Sequence, residues 1–226
     1  MNCDLIAPHY WWIEKLGMGG ALERRRRWFL PEFGNARRAL VLGDGDGRFL
    51  KALLGRNPVV RADYVDLSNR MLELARRKSG ADRVAYRKAD ARMAEFAPGE
   101  YDLIATHFFF DCFSAEELAA LIGRIAPAAK PGAQWVVSEF CVATLPARLL
   151  VRFLYLFFRI TTGLKTRRLA DHRPFLQSHG FRLVNSNHAR SGIVVSELWE
   201  RVVQSRRLSE SGPTAKRKHH SETQTQ

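Results

Sequence analysis

The sequence predicts an α/β fold: a doubly wound, mostly parallel sheet of seven strands with an antiparallel hairpin at its C-terminal edge. Three observations predict it. Between Ala39 and Phe140, short apolar and β-branched runs alternate with segments of helical periodicity. The first of these runs breaks into Gly43-Asp44-Gly45-Asp46-Gly47 and resumes at once as an apolar helical segment. The last two, Phe181 to His188 and Ile193 to Arg201, are joined only by Ala189-Arg190-Ser191-Gly192, which reads as a hairpin.

Residues 1–35 form an N-terminal helical and aromatic cap in this reading, 36–203 the main domain with a lid-like helical insertion over 145–180, and 204–226 a basic, disordered tail. Leu16, Leu22, Trp28 and Phe29 face inward, and Arg24 to Arg27 make a solvated helix face. The cluster His9-Tyr10-Trp11-Trp12 is core or lid, or else brings Tyr10 and Trp11 to a ligand.

In the main domain, the strand ending at Leu42 is followed by a helix over Arg48 to Arg56, stopped by Asn57-Pro58. A second strand, Val59 to Leu67, carries Asp66 at its far end. Ser68 caps a helix that runs to Lys78 and stops at Gly80. Arg83 to Lys88 is the third strand and Tyr101 to Phe110 the fourth; Ser114 caps the next helix, through Ile125. Lys130-Pro131-Gly132 turns the chain into a fifth strand, Gln134 to Phe140. Residues 149–158 are apolar around most of a helix, too short and too charged to span a bilayer, and suit either a hydrophobic lid or peripheral contact with a membrane. A helix over Arg168 to His179 ends at Gly180.

At 226 residues the chain suits one well-buried domain with elaborations. Its net charge of +13 permits anionic partners, yet the sequence shows no zinc spacing, RNA-binding aromatic signature or helix-turn-helix pattern, so nucleic acid is a minor reading. No metal site is read. Three well-separated cysteines, Cys3, Cys112 and Cys141, make no disulfide framework and point to a cytoplasmic protein, as does an N-terminus without a signal-type apolar core.

Three alternate glycines allow left-handed backbone and close approach by a ligand. The spacing departs from the dinucleotide fingerprint by one residue, and Asp44 and Asp46 would repel phosphate but attract an ammonium or sulfonium group. Asp66 lies nineteen residues past Gly47, placed to accept from a ribose diol. A nicotinamide oxidoreductase is disfavoured on the same grounds.

Leu-Val-Leu-Gly-Asp-Gly-Asp-Gly, Tyr-Val-Asp-Leu-Ser, Lys-Ala-Asp-Ala and Tyr-Asp-Leu-Ile-Ala-Thr, in this order, resemble successive motifs of the class I S-adenosylmethionine-dependent methyltransferases. The resemblance covers about Ala36 to Glu200 and implies a Rossmann-like seven-stranded sheet, S-adenosyl-L-methionine as cofactor and methyl transfer as activity. It implies that Gly43, Gly45 and Gly47 pass under the methionine portion, that Asp66 holds the ribose, and that Leu67 packs on the adenine. Asp90 and the Ala91 amide would then read the adenine edge, with Thr106 and His107 bordering the methyl group. The family's usual acidic residue two places before the first glycine is Val41 here, and Asp44 is the candidate replacement toward the amino group.

Methyl transfer requires alignment in a dry site and, for a nucleophile that must lose a proton, a base. His107 is the leading candidate base, with Asp111 and Tyr10 behind it; Glu139 reads as the end of a strand. Of Phe108, Phe109, Phe110 and Phe113, most belong to the core and one faces the sulfonium. Tyr10, Trp11 and Phe110 are the candidate contacts for a small, fairly apolar acceptor. A methyltransferase-like protein that binds or regulates without transferring a group is the alternative.

Overall fold

The computed structural model describes residues 19–141, 170–189 and 192–202. Seven strands form one sheet in the order β3-β2-β1-β4-β5-β7-β6. They are β1 (Arg38–Leu42), β2 (Arg61–Asp66), β3 (Val84–Lys88), β4 (Tyr101–His107), β5 (Ala129–Phe140), β6 (Phe181–His188) and β7 (Val194–Arg201). The first five pair in parallel; β7 runs antiparallel to both β5 and β6. The described helices are α1 (Gly19–Arg26), α2 (Arg48–Arg56), α3 (Asn69–Ser79), α4 (Ala115–Ile125) and α5 (Arg173–Ser178).

β1 shows why the sheet lies between two helical layers. Its residues Ala39-Leu40-Val41-Leu42 are all buried, so neither face meets water. Leu40 and Leu42 join Trp135, Val137 and the apolar stripe of α4; Ala39 and Val41 join Leu50 and Leu53 of α2 and Ala75 of α3. The helices begin where their caps stand. Ser68 Oγ accepts from the Met71 amide at 3.3 Å, and Ser114 and Glu117 form a reciprocal capping box.

Three elements differ from expectation. β4 ends at His107 instead of running to Phe110, because Phe108 takes a left-handed φ of 54° and the chain then winds into a 3-10 turn over Phe110–Cys112. Such a conformation is costly for a bulky residue and marks a place where surrounding contacts dictate the backbone. Lys130-Pro131-Gly132 is no turn before β5 but part of it: β5 pairs with β4 from Ala129, and a register shift between Tyr101 and Leu103 absorbs the irregular residues. The helix expected over Arg168 to His179 is described as the shorter α5, with Pro174 in its first turn. The segment 149–158 lies outside the described residues.

The arginine run also departs from its expected solvated face. Arg25 and Arg26 are buried because α1 lies across the C-terminal end of β5 and the start of β7. The Ser196 and Ser138 hydroxyls donate to the Arg25 carbonyl at 2.7 and 3.4 Å, the Arg25 guanidinium bonds the Asn187 side chain, and that of Arg26 lies 5.0 Å from the Phe108 ring centre. Leu22 and Phe29 are buried as expected, while Trp28 is exposed. Phe29 and Phe33 enter the same cluster as Val41 and Leu50. The Asn57 side chain ties this stretch down by donating to the carbonyls of Phe33, Gly34 and Ala36 at 2.8 to 3.1 Å.

Candidate functional site

β1 pairs with β2 on one side and β4 on the other, so the strand order reverses at its carboxyl end. In a doubly wound sheet that reversal opens a crevice where ligands bind. The glycine turn lies there. Its three glycines all have positive φ, but each for its own reason. A Cβ on Gly43 would fall 2.2 Å from the Phe109 ring, and one on Gly47 2.7 Å from the Cβ of Ala75 on α3. At Gly45 a Cβ would meet nothing within 4 Å, so here bare backbone faces open space. Tyr64 steadies the turn by donating its hydroxyl to the Gly45 carbonyl at 2.6 Å. Sequence reasoning missed this residue, although its place two positions before Asp66 on a buried strand puts it on the same face.

The turn carboxylates do not present the open negative charge expected of them. Asp44, only 2% exposed, folds back to accept from the Phe49 and Leu50 amides at 3.3 and 3.1 Å and so caps α2. Burial pushes its carboxyl up to about 7, against the pull of Arg26 and the two amides. Asp46 pairs with Lys78 and, at 3.1 Å, with Arg48; these cations overcome the effect of burial and hold it below the usual carboxylate range.

The next two strand ends follow along the same edge. The Gly43 amide donates to the Val65 carbonyl at 3.2 Å, and the Ala89 amide to the Asp66 carbonyl at 3.2 Å, which chains the glycine turn, Asp66 and the Ala89-Asp90-Ala91 segment together. Asp66 accepts from the Ser68 amide at 2.8 Å, and Leu67 beside it is 41% exposed. The Asp90 carboxylate grips Arg92, at 2.7 Å to its nearest guanidinium nitrogen, and Arg92 also reaches Glu117 at 3.0 Å. Ala91 is buried.

At the end of β4 the side chains divide. Thr106 turns into the core, where its hydroxyl accepts from the Trp135 indole at 3.1 Å, so it does not border the crevice as expected. Phe110 is likewise core, between Trp135 and His172 with ring centres 6.1 and 5.5 Å away; packing, not an acceptor, occupies it. The ring at the glycine turn is that of Phe109. His107 is 1% exposed, its ring tilted against Phe49 with centres 4.4 Å apart, and neither ring nitrogen is hydrogen-bonded among the described residues. Burial, then the nearby Arg26 charge, pushes its pKa well below the ordinary value, so the imidazole is neutral and a weak base.

Asp111 stands in the 3-10 turn, and burial pushes it up to about 6. Glu139, 2% exposed, accepts from the Phe109 and Phe110 amides at 2.9 and 2.8 Å. Burial and then the Asp111 charge push it well above the ordinary value. The sequence reading took it only as the end of a strand; the available signal was an acid closing an otherwise buried strand at the carboxyl edge. Tyr10 and Trp11 lie outside the described residues. Among the described residues no helix is long and apolar enough to cross a membrane, and no cluster of His, Cys, Asp and Glu is suited to a metal ion.

Residues 39–132, from β1 into β5, match the sequence model of a methyltransferase domain. No curated protein matches the chain in sequence. Solved structures match its fold at low identity. A chain of the complex between the Haloferax volcanii Trm112 methyltransferase activator and a putative methyltransferase gives a TM-score of 0.72 at 14% identity, covering 89% of this chain and 98% of that one. An S-adenosylmethionine dependent methyltransferase from Mesorhizobium loti gives 0.65 at 22%, covering 82% and 100%. Mitomycin 7-O-methyltransferase gives 0.66 at 20%, covering 85% of this chain, which spans 60% of that protein's length. Over residues 39–132 the chain thus resembles a methyltransferase domain in sequence, and its sheet has the fold of these solved methyltransferase structures.

Proposed function

We propose that the chain transfers a methyl group from S-adenosylmethionine to a small, fairly apolar acceptor. The observation that carries this reading is the bare backbone at Gly45, at the point where the strand order reverses, with Asp66 and Asp90-Ala91 on the next two strand ends. These residues fit the donor. Gly43, Gly45 and Gly47 would lie under its methionine portion and Leu67 would cover the adenine. Asp66 would accept from the ribose hydroxyls, for which a carboxylate has several lone-pair positions. Asp90 would accept from the adenine amino group while keeping Arg92, and the Ala91 amide would donate to the ring. When bound, the donor supplies a methyl group activated by a sulfonium charge.

The protein's part is to align and to exclude water. Phe109 over Gly43, with Phe113 against it at 5.0 Å, supplies an apolar wall beside the turn, which supports an apolar acceptor. His107, neutral and buried against Phe49, serves packing in preference to proton transfer.

Calorimetric titration with S-adenosylhomocysteine tests the donor site: saturable binding is expected, and none by folded protein would remove the proposal. Asp66→Ala should weaken that binding more than tenfold; an unchanged affinity would mean that the ribose lies elsewhere. Labelled product in a cell extract supplied with methyl-labelled cofactor would separate an enzyme from a protein that only binds.

A further inference from the structure

By sequence the glycine turn should draw a cation, but the groups that the fold brings around it reverse that sign. Asp44 is buried, and burial pushes its carboxyl up to about 7. Asp46 is bonded by both Lys78 and Arg48, two cations for one carboxylate. The part of the turn that stays half-exposed, Gly45-Asp46, therefore has a surplus positive charge beside it, which favours an anion.

The backbone there has the same polarity. The Tyr64 hydroxyl donates to the Gly45 carbonyl at 2.6 Å; Tyr64 is fully buried, and burial together with the nearby Asp44 charge keeps that hydroxyl protonated. The Gly45–Asp46 peptide is trans and planar, so its N–H lies opposite its C=O. With the carbonyl turned in to Tyr64, the Asp46 amide is turned away from it, and that amide makes no hydrogen bond among the described residues. A Cβ on Gly45 would meet nothing within 4 Å, so nothing covers the approach to this peptide.

We infer that Tyr64 is a positioning residue: it holds the Gly45–Asp46 peptide so that the Asp46 N–H receives the carboxylate of the methyl donor's methionine portion. The inference rests on the methyl-transfer reading and deepens it, because the turn then recognises the donor by its carboxylate and not by its ammonium group. Tyr64 touches no donor atom and acts through the peptide plane. Without its hydroxyl the Gly45 carbonyl loses its partner, the freedom of glycine at both signs of φ lets the plane turn over, and an oxygen meets the carboxylate where the N–H stood.

Calorimetric titration of the full chain tests this, with S-adenosylhomocysteine and decarboxylated S-adenosylhomocysteine, which keeps the amine, as probes. The wild type should bind the first about tenfold tighter than the second, as expected of a hydrogen bond to a charged group. Tyr64→Phe should lose most of that preference, weakening S-adenosylhomocysteine at least fivefold and leaving the decarboxylated form within twofold. Should that variant fail to fold, the amide proton signal of Asp46 in the wild type should move with S-adenosylhomocysteine and stay with the decarboxylated form. Equal binding of the two probes by the wild type, a preference that survives Tyr64→Phe, an equal loss of both probes in that variant, or an Asp46 signal that does not tell them apart would each overturn the inference. Failure of the folded wild type to bind either probe would instead remove the donor reading beneath it.

Discussion

Glu197 and Glu139 are both buried glutamates on the same face of neighbouring strands, yet their surroundings push them in opposite directions. In β5–β7 pairing Glu197 faces Val137 and Glu139 faces Val195, so the two differ by one step of the pleat. Glu197 is fully matched: His172 bonds it at 2.8 Å, Arg173 Nε at 2.8 Å and the Trp199 indole at 3.0 Å. Burial would raise its pKa, but His172 and Arg173 overcome that and hold it at about 2. Glu139 has two amides, one like-charged neighbour and an oxygen with no partner among the described residues. Burial is therefore common to both and distinguishes neither; what separates the two acids is whether the fold completes their hydrogen bonding.

The largest way to test this contrast is Glu197→Ala. It strands His172, Arg173 and the Trp199 indole, and the denaturation midpoint should report a loss of about 3–5 kcal/mol. A loss under about 1 kcal/mol would mean that the network is ornamental. Acid probes the same pair. Glu197 is depressed from an ordinary 4.5 to about 2, so its contribution is present above pH 4.5 and disappears as pH falls toward 2. Glu197→Gln should flatten that part of the wild-type stability curve.

Next in size is the turn that Glu139 reaches through Phe109. Gly43→Ala must displace the Phe109 ring and adopt φ 63°, and should cost about 2–4 kcal/mol together with S-adenosylhomocysteine binding. Gly45→Ala has the same φ but open space, and should cost only about 1 kcal/mol of stability. Equal losses in thermal melts would show that the Phe109 contact is unimportant.

The smallest effect belongs to Glu139 itself. Its folded pKa is raised, so the folded state holds a proton that the unfolded chain releases above about pH 4.5, and stability falls as pH rises from there toward the folded value. Glu139→Gln should lie within about 1 kcal/mol of the wild type at pH 5 and be the more stable protein at pH 8. A variant less stable at pH 8 would place Glu139 with Glu197.

Much of the fold could be read from local chemistry. The apolar run of β1, the Ser68 and Ser114 caps, the Asn57-Pro58 stop and the short link between β6 and β7 are signals carried by neighbouring residues, and all stand in the structure. The misreadings share a different cause. Arg25 and Arg26 look solvated in sequence because nothing nearby reveals that α1 crosses β5 and β7. Thr106 and Phe110 lie at a strand end facing the crevice by position, but Trp135, on the neighbouring strand β5, draws them inward. Asp44 reads as a free charge until the amides of α2 turn it into a cap.

By itself the sequence determined the strand and helix order, the glycine turn after β1 and the acids that end β2 and open the next segment, because periodicity, caps and left-handed glycines act within a few residues. Only the tertiary structure decided which buried acids are satisfied and which is left open. Glu139 and Glu197 differ through partners brought in from the post-β4 turn and from α5, and hydrogen bonding across such distances along the chain leaves no trace in local pattern.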